Sequence, residues 1–567
     1  MQIDKVIIKG FRNFEDTTVR FNGNSLIMGA NDVGKTNLIY AIRILLDKSL
    51  SERDIEPQDT DFNIKQDGTQ SNEYSITIYF KDIKEDSAKA VLKGYIDESE
   101  SSVFQFIARN NGEYVFLVGA NDSELEEVTG RFYLKYINLR YVKSRRDLKK
   151  FIDLEKKQLL KLAKENRSDQ HSSEDNKQMQ RISRGLDNIN ERVRRLNYVN
   201  ESTTLVNDEL KKLSYTNDNY SVHLDSGAIQ VNQFIENLEL GAKTSGSKLM
   251  LGGDGKDNQI LLALWKAKSE REFDPEHHVT FYCVEEPEAH LHPHQQRKLA
   301  QYLNSDLPGQ TIITTHSPQI VEQYSPDSII RIYKNNGSSL AANDGCSNCI
   351  DEAWDNLGYR MSILPAEAFF SSCVLLVEGP SEKLFYEEVG KILNLELDYH
   401  NVSILCVDGI QFKVYAKILS ALEIPWVMRT DNDVSKVPRR NEKAMVGANR
   451  CCSLLNLPPV PRFPLNTTQE DVIQQGHWAR VSARINPHGL YLSKKDLEND
   501  LYDELPHQLL AYSGKTTATE AISYLQGAKA LRMREFLSAY KHDLINIYQG
   551  ELCKPLHHAI EKARMNI

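Results

Sequence analysis

GANDVGKT, Gly29 to Thr36, is the stretch on which the reading of this chain turns. It fits GxxxxGK[ST], in which glycines let backbone N–H groups converge on phosphate; Gly29 and Gly34 take that role here. Lys35 would neutralise the β and γ phosphates, and the Thr36 hydroxyl would ligate Mg²⁺. The context is that of a phosphate loop. NSLIMG reads as a strand entering it, and GKTNLIYAIRILLD leaves it with Leu38, Ile39, Ile42, Leu45 and Leu46 at helical spacing. Upstream, KVIIKGF and TTVRFN read as short strands, and strand-like sequence continues to about Tyr141. ATP or GTP binding follows from these residues.

About 250 residues further on, VTFYCVEEPEAHLHP is an apolar strand ending in acids. Glu285 sits where a carboxylate backing the Mg²⁺ belongs, and Glu286 where a base would orient the attacking water. TIITTHSP then places His316 toward the γ-phosphate. Loop, acid pair and strand-end histidine in this order resemble the ATP-binding-cassette family, in its SMC and RecF-like branch; FRNF after the first strand and Asn31 inside the loop fit that branch too. LMLGGDGK lies where the family's signature loop falls but departs from LSGGQ: Leu251, Gly252 and Gly253 are followed by Asp254, Gly255 and Lys256. The resemblance implies a dimer sandwiching nucleotide head to tail, and the departure leaves hydrolysis open. The histidines of HLHPH, His290, His292 and His294, alternate through a Pro-containing turn and are not read as a metal cluster.

A chain of 567 residues suits roughly two to four domains. Its 40% hydrophobic and 26% charged content is ordinary for a folded protein. It contains no run of 18 apolar residues and no signal-peptide pattern at MQIDKVIIKGF, so the expectation is a cytoplasmic protein with no membrane association. The eight cysteines are read as reduced thiols; Cys346 and Cys349 would be half a zinc site, and the adjacent Cys451 and Cys452 lack ligand spacing for the other half. The formal charge of −10 is uneven: Lys143 to Arg195 holds 16 Lys and Arg against 9 Asp and Glu, a net +7 that leaves −17 elsewhere. Such a strip can hold a polyanion or be a solvated helical face. From Lys143 to Leu213 the sequence reads as long charged helices, with Ile182, Leu186, Ile189, Val193 and Leu196 forming a helix-pair seam, hence a helical hairpin expected to dimerise.

Past a turn-rich boundary near residue 345, SCVLLVEG, NVSILCVDG and IPWVMRTDND read as three apolar strands ending in Gly or acid, separated by helical sequence. That alternation predicts a parallel sheet with its chemistry at the strand ends. In VLLVEGPSEKLF, Val374 to Phe385, Glu378 ends the strand and Glu382 lies one helical turn on, returning to the same mouth; a divalent metal is the commonest reason for two acids to share it. Asp431 and Asp433 of TDND alternate in an extended strand end and share a face. EGxxE, a strand ended by Gly409 and DxD resemble a Toprim domain over roughly 370–440, which implies metal-dependent phosphodiester chemistry.

A split cassette ATPase followed by a Toprim domain resembles the overcoming lysogenisation defect (OLD) nucleases, most closely the class acting in Gabija anti-phage systems. The fold expected is α/β: an ABC-type ATPase with an inserted helical arm, fused to a C-terminal Toprim domain. The corresponding boundaries are 1–142 and 226–345 for the ATPase parts, 143–225 for the arm, and 346–567 for the Toprim domain with its helical extension. The resemblance implies two Mg²⁺ or Mn²⁺ ions at Glu378, Glu382, Asp431, Asp433 and a later acid, Glu498. It also implies a lysine stabilising charge on phosphate, Lys529, with Lys515 in competition. The function expected is ATP-coupled DNA endonuclease activity in phage defence, from a homodimer or tetramer with a helicase-like partner. Arg140, Lys143, Arg145 and Arg146 are the candidate phosphate contacts. Two other readings stand beside it: an OLD effector of another defence system, retron-like or RNA-directed, and a non-catalytic RecF-like ATP switch. Intact acids at 378, 382, 431 and 433 count against the switch.

Overall fold

Apolar residues alternate along the first strand, and its neighbours repeat the pattern. The result is a six-stranded antiparallel sheet in which one face is buried. It is built from Gln2–Phe11, Phe14–Arg20, Glu73–Lys81, Ser102–Arg109, Tyr114–Gly119 and Glu126–Val128. Phe11, Tyr74, Phe80, Phe104 and Phe106 are buried in its core, together with the apolar face of the helix Lys35–Leu46. A computed structural model describes residues 1–142, 148–165, 167–213, 222, 242–244, 247–249, 260, 263–264, 278–289, 291–305, 307, 309–347, 366–407 and 412–565. Lys143, Arg145, Arg146, the 251–256 loop, His290, Cys349 and Gly409 lie outside the described residues.

The chain forms two compact units. The first comprises Met1–Ser144, Pro275–Glu288 and His292–Ile567; the second comprises Arg145–Asp274 and Ala289–Leu291. In the first, a second six-stranded sheet runs Ser338–Ala341, Ile329–Asn335, Ser25–Met28, Thr311–Thr314, Val279–Glu285, Ile137–Val142. All its pairings are parallel except that of the edge strand Ser338–Ala341. Every residue of Val279–Glu285, Thr311–Thr314 and Ser25–Met28 is buried, as expected of parallel strands covered on both faces. Their C-terminal ends lie side by side, so residues far apart in sequence meet at one edge.

The C-terminal half of this unit contains a four-stranded parallel sheet in the order Val402–Cys406, Cys373–Val377, Trp426–Thr430, Leu490–Leu492. The first three strands are those read from the sequence, and Leu490–Leu492 joins them. Helices Pro380–Ile392, Leu497–Glu504, Lys529–Ala539 and Lys554–Met565 pack a second core against it, centred on Phe385, Tyr386, Leu501, Phe536 and Leu556. The second unit contains the helices Leu148–Glu165, Asp169–Arg194 and Asn197–Leu213, and Ser168 Oγ caps the middle one by accepting from His171 N at 3.3 Å. Of the expected seam, Leu186 is buried whereas Ile182, Ile189 and Leu196 are exposed. Cys346 is half-buried against Ser25, and Cys451 and Cys452 are buried free thiols.

Candidate functional site

The strand Ser25–Met28 delivers its chain into the loop 29–34, and the helix Lys35–Leu46 begins directly after it. Gly34 has φ 102°, and a Cβ there would overlap the Asn13 side chain. Asn13 Nδ2 in turn donates to the Val33 carbonyl at 3.0 Å, so the FRNF turn pins the loop from outside. Lys35 Nζ donates to the carbonyls of Gly29 at 3.0 Å and Ala30 at 2.7 Å, folding the ammonium back over the loop. Burial lowers its pKa to about 8, against the pull of Glu286, Glu288 and Glu285. Thr36, in the first turn of the helix, and Asn31, in the loop, are exposed.

Glu285 ends its strand buried and accepts from Tyr141 Oη at 2.9 Å. Glu286 follows with φ 44°, a left-handed conformation a non-glycine residue adopts at a cost. Its Oε1 lies 3.4 Å from His316 Nε2. Burial lowers the His316 pKa, and the Lys35 charge adds to the effect. The structure therefore brings Lys35, Glu285, Glu286 and His316 to one sheet edge. It adds Glu288, whose Oε1 accepts from Thr315 Oγ1 at 2.8 Å and His316 N at 2.7 Å, fixing the histidine's backbone.

The second cluster lies at the end of the four-stranded sheet. Cys373–Val377 is buried throughout and ends at Glu378; Pro380 then starts the helix Pro380–Ile392 at a position that needs no N–H donor. Glu382 Oε2 accepts from the backbone N–H of Glu378 at 2.6 Å and Gly379 at 3.0 Å, closing the helix start. Its Oε1 accepts from Arg429 Nη1 at 2.8 Å, and Arg429 Nη2 donates to Asp500 Oδ2 at 2.8 Å. Both Glu382 oxygens are thus engaged by protein donors, a placement different from that of an open ligand. The reason is local: an acid three residues beyond a strand-end glycine is also the spacing of a helix cap.

Glu378 turns the other way. Its Oε2 accepts from Thr430 Oγ1 at 3.1 Å, Asp431 N at 3.3 Å and Arg450 Nη1 at 3.1 Å, which ties the first strand end to the second. Asp431 and Asp433 flank a buried Asn432, whose N–H donates to the Lys495 carbonyl at 2.9 Å. Burial together with Glu382 and Glu378 pushes Asp431 up to about 8 despite Arg429. Burial and Glu378 likewise raise Asp433. Glu498, in the first turn of Leu497–Glu504, is almost fully buried, and Lys529 Nζ lies 3.7 Å from its Oε2. Burial works to lower Lys529, but Glu498, Asp431, Asp496 and Glu382 together raise it. Lys515 is exposed, with its backbone N–H on Ser513 Oγ at 3.4 Å.

Glu378, Asp431, Asp433, Glu498 and Lys529 therefore share one electrostatic neighbourhood. The sequence reading missed Arg429, Arg450, Asp496 and Asp500. Asp496 had a legible signal, an acid placed to cap LENDL, and it accepts from Asn499 N at 2.9 Å. Among the described residues no three His, Cys, Asp or Glu side chains stand grouped to hold a metal ion. The donor set itself suits a hard divalent cation: all oxygen, anionic, and crowded enough that Asp431 resists ionisation. The two edges together define a phosphate-loop ATPase joined to a Toprim acid cluster.

Comparison with known proteins agrees. The family model described as AAA ATPase domain matches residues 1–321, and that described as Overcoming lysogenization defect protein-like, TOPRIM domain matches 369–433. The chain belongs to the AAA ATPase domain family, and its residues 369–433 match an OLD-like Toprim domain. Endonuclease GajA of Bacillus cereus (strain VD045) is 24% identical over 97% of this chain and 98% of its own. DNA replication and repair protein RecF of Acetivibrio thermocellus is 46% identical over 43 residues, 7% of this chain and 12% of its own. A solved SmcHead bound to the C-winged helix domain of ScpA covers 60% of this chain and 97% of its own, at 19% identity and a TM-score of 0.39. The two domains imply the use of ATP and of a divalent metal. No helix among the described residues is long and apolar enough to cross a membrane.

Proposed function

We propose that this protein is a DNA endonuclease whose Mg²⁺- or Mn²⁺-dependent cutting is coupled to ATP, and that it serves anti-phage defence in the cytoplasm. One observation carries the reading: the electrostatic neighbourhood formed by Glu378, Asp431, Asp433, Glu498 and Lys529 at a parallel-sheet edge, in a chain whose other parallel sheet presents a phosphate loop. Glu378, Asp431, Asp433 and Glu498 would hold the metal. Such an ion supplies Lewis-acid stabilisation of phosphate and lowers the pKa of bound water. Lys529 faces charge that builds on the scissile phosphate, and Glu382 with Arg429 holds the strand end and helix start in place. At the nucleotide edge, Lys35 holds phosphate, Thr36 and Glu285 serve Mg²⁺, Glu286 orients water, and His316 reads the γ-phosphate.

The division into ATPase parts at 1–142 and 226–345, an arm at 143–225 and a Toprim part at 346–567 belongs to this proposal. So do assembly as a homodimer or tetramer and a helicase-like partner. The test is supercoiled plasmid incubated with Mg²⁺ or Mn²⁺, with and without ATP, comparing wild type with Glu378→Ala. Wild type linearises or nicks the plasmid and the variant does not. Equal cutting by both, or by neither under any ion and nucleotide, refutes the nuclease reading. Relaxed, uncut circles would instead indicate strand passage.

A further inference from the structure

Directly after Asp433 the chain makes a hairpin, Val434–Lys436 and Glu442–Met445, with Val434 opposite Met445 and Lys436 opposite Lys443. A third short strand, Phe463–Pro464, pairs with its second limb. The hairpin's root is fixed to the acid cluster. Val446 N–H donates to the Asp433 carbonyl at 2.7 Å, Gly447 packs so closely that a Cβ would overlap the Asp431 carbonyl, and Arg450 in the following helix bonds Glu378. Its tip is closed by Val437 N–H on the Glu442 carbonyl at 2.9 Å and Arg440 N–H on the Val437 carbonyl at 3.1 Å.

The charge on this hairpin is not explained by its fold. Residues 434–450 contain Lys436, Arg439, Arg440, Lys443 and Arg450 against Glu442 alone, a net +4 in a chain of −10, so that the remainder is −14. Lys443 reaches the Thr467 carbonyl at 2.7 Å, and Glu442 is paired with Arg462. Lys436, Arg439 and Arg440 are exposed, and among the described residues their side chains form no hydrogen bond or ion pair. Among the described residues, the mutual repulsion of these three cations on one hairpin meets no compensating contact within the chain. A polyanion lying across the tip would supply one.

We propose that this hairpin is a grip for the phosphate backbone of the duplex whose strand is cut at the acid cluster; the inference rests on the nuclease reading above. Strand geometry sets the reach. Three extended residues, at about 3.3 Å each, carry Lys436 no further than about 10 Å along the chain from Asp433. Lys436 and the arginines beyond it therefore fall over phosphates about three to five nucleotides away, at about 3.4 Å per step along a strand. Phosphate contacts position a duplex without reading its sequence, so the grip fixes where the cut strand lies relative to Glu378 and Asp431 rather than which sequence is cut.

The test uses the full chain carrying Glu378→Ala, so that duplex DNA stays intact while its binding is followed by fluorescence anisotropy from low to moderate salt. Arg439→Ala with Arg440→Ala is expected to weaken binding and to reduce the slope of log K against log salt by about 1.8, at about 0.9 per phosphate contact. Arg439→Lys with Arg440→Lys is expected to keep the slope. In the otherwise wild-type chain, the alanine pair should raise KM for plasmid cutting and leave kcat unchanged, with ATP binding retained as the measure of folding. An unchanged slope and KM in the alanine pair, while wild type binds and cuts DNA, overturns the grip alone. A wild type that neither binds nor cuts DNA overturns the grip together with the nuclease reading.

Discussion

Replacing Arg429 by Met keeps an apolar stem of similar length and deletes the one charge shared by Glu382 and Asp500. Arg429 is 3% exposed, and each of its two bonds is 2.8 Å long. Removing one partner of a buried ion pair costs about 3–5 kcal/mol, because the remaining charge stays buried without compensation. Here two carboxylates are stranded, so the loss belongs in the upper part of that range. Its pH dependence identifies the cause. Burial already raises Asp500, and Arg429 is the largest influence pulling it back. Without Arg429 the folded-state pKa values of Glu382 and Asp500 climb further above their unfolded values of about 4. A raised folded pKa in an acid means that the native state binds more protons, so stability falls as pH rises through the window between the two values. The penalty is smallest where both acids are protonated and complete once both are ionised, above their new folded pKa values. Urea unfolding followed through the tryptophans, of which Trp426 and Trp478 lie in this half of the chain, should show a larger deficit at pH 8 than at pH 5. A loss below about 1 kcal/mol at pH 8, or an equal loss at both pH values, would refute the reasoning.

Lys35→Ala removes the ammonium from the phosphate loop and leaves the acid cluster untouched. It should therefore change how plasmid cutting responds to ATP while cutting without nucleotide persists; an ATP response identical to wild type would make the two sites independent. Gly447→Ala forces a Cβ into the Asp431 carbonyl, so the strand end must shift by some tenths of an ångström or more. Since misplacement of about 1 Å costs on the order of a hundredfold in rate, cutting should fall at least about tenfold in protein that still binds ATP; full activity would show that Asp431 tolerates displacement.

What was legible in the sequence was what local spacing fixes. The phosphate loop needs two glycines, a lysine and a hydroxyl within eight residues, and DxD needs only strand alternation. EGxxE was legible as a pattern but carries two meanings, because a ligand pair at a strand mouth and an acid capping its own helix use the same interval. Here the extended backbone of Gly379, φ −147° and ψ 174°, turns its N–H and that of Glu378 onto Glu382, the geometry of the cap. Arg429, Arg450 and Asp500 were not legible, since a lone charged residue acquires its partner only when strands more than forty residues apart are laid side by side. Arg429 meets Glu382 across a separation of 47 residues and Asp500 across 71.

Contacts from the strand Ile329–Asn335 link the phosphate loop to the segment that leads into the acid strand. Ile329–Asn335 lies beside Ser25–Met28, and the Ile332 carbonyl presses on Gly29, where φ is 151° and no Cβ would fit. From that strand Arg331, itself buried, donates through Nη1 to the carbonyls of Leu422 and Glu423, both at 3.0 Å, and Tyr333 donates to the Glu423 carboxylate. Asn343 adds a bond to the Ala421 carbonyl. Residues 421–423 lead directly into Trp426–Thr430, which ends at Asp431. A backbone carbonyl buried against a guanidinium loses about 1–3 kcal/mol if that donor withdraws, so these bonds resist independent sliding of the two sheets. Rearrangement of the loop around nucleotide must then be absorbed between Gly29 and Ile332 or passed along Arg331 to the strand that carries the acids. Coupling requires an element with two states that both sites bias, which contact alone does not supply; the ATP response of Lys35→Ala is therefore the measurement that distinguishes a joint from a mere fastening.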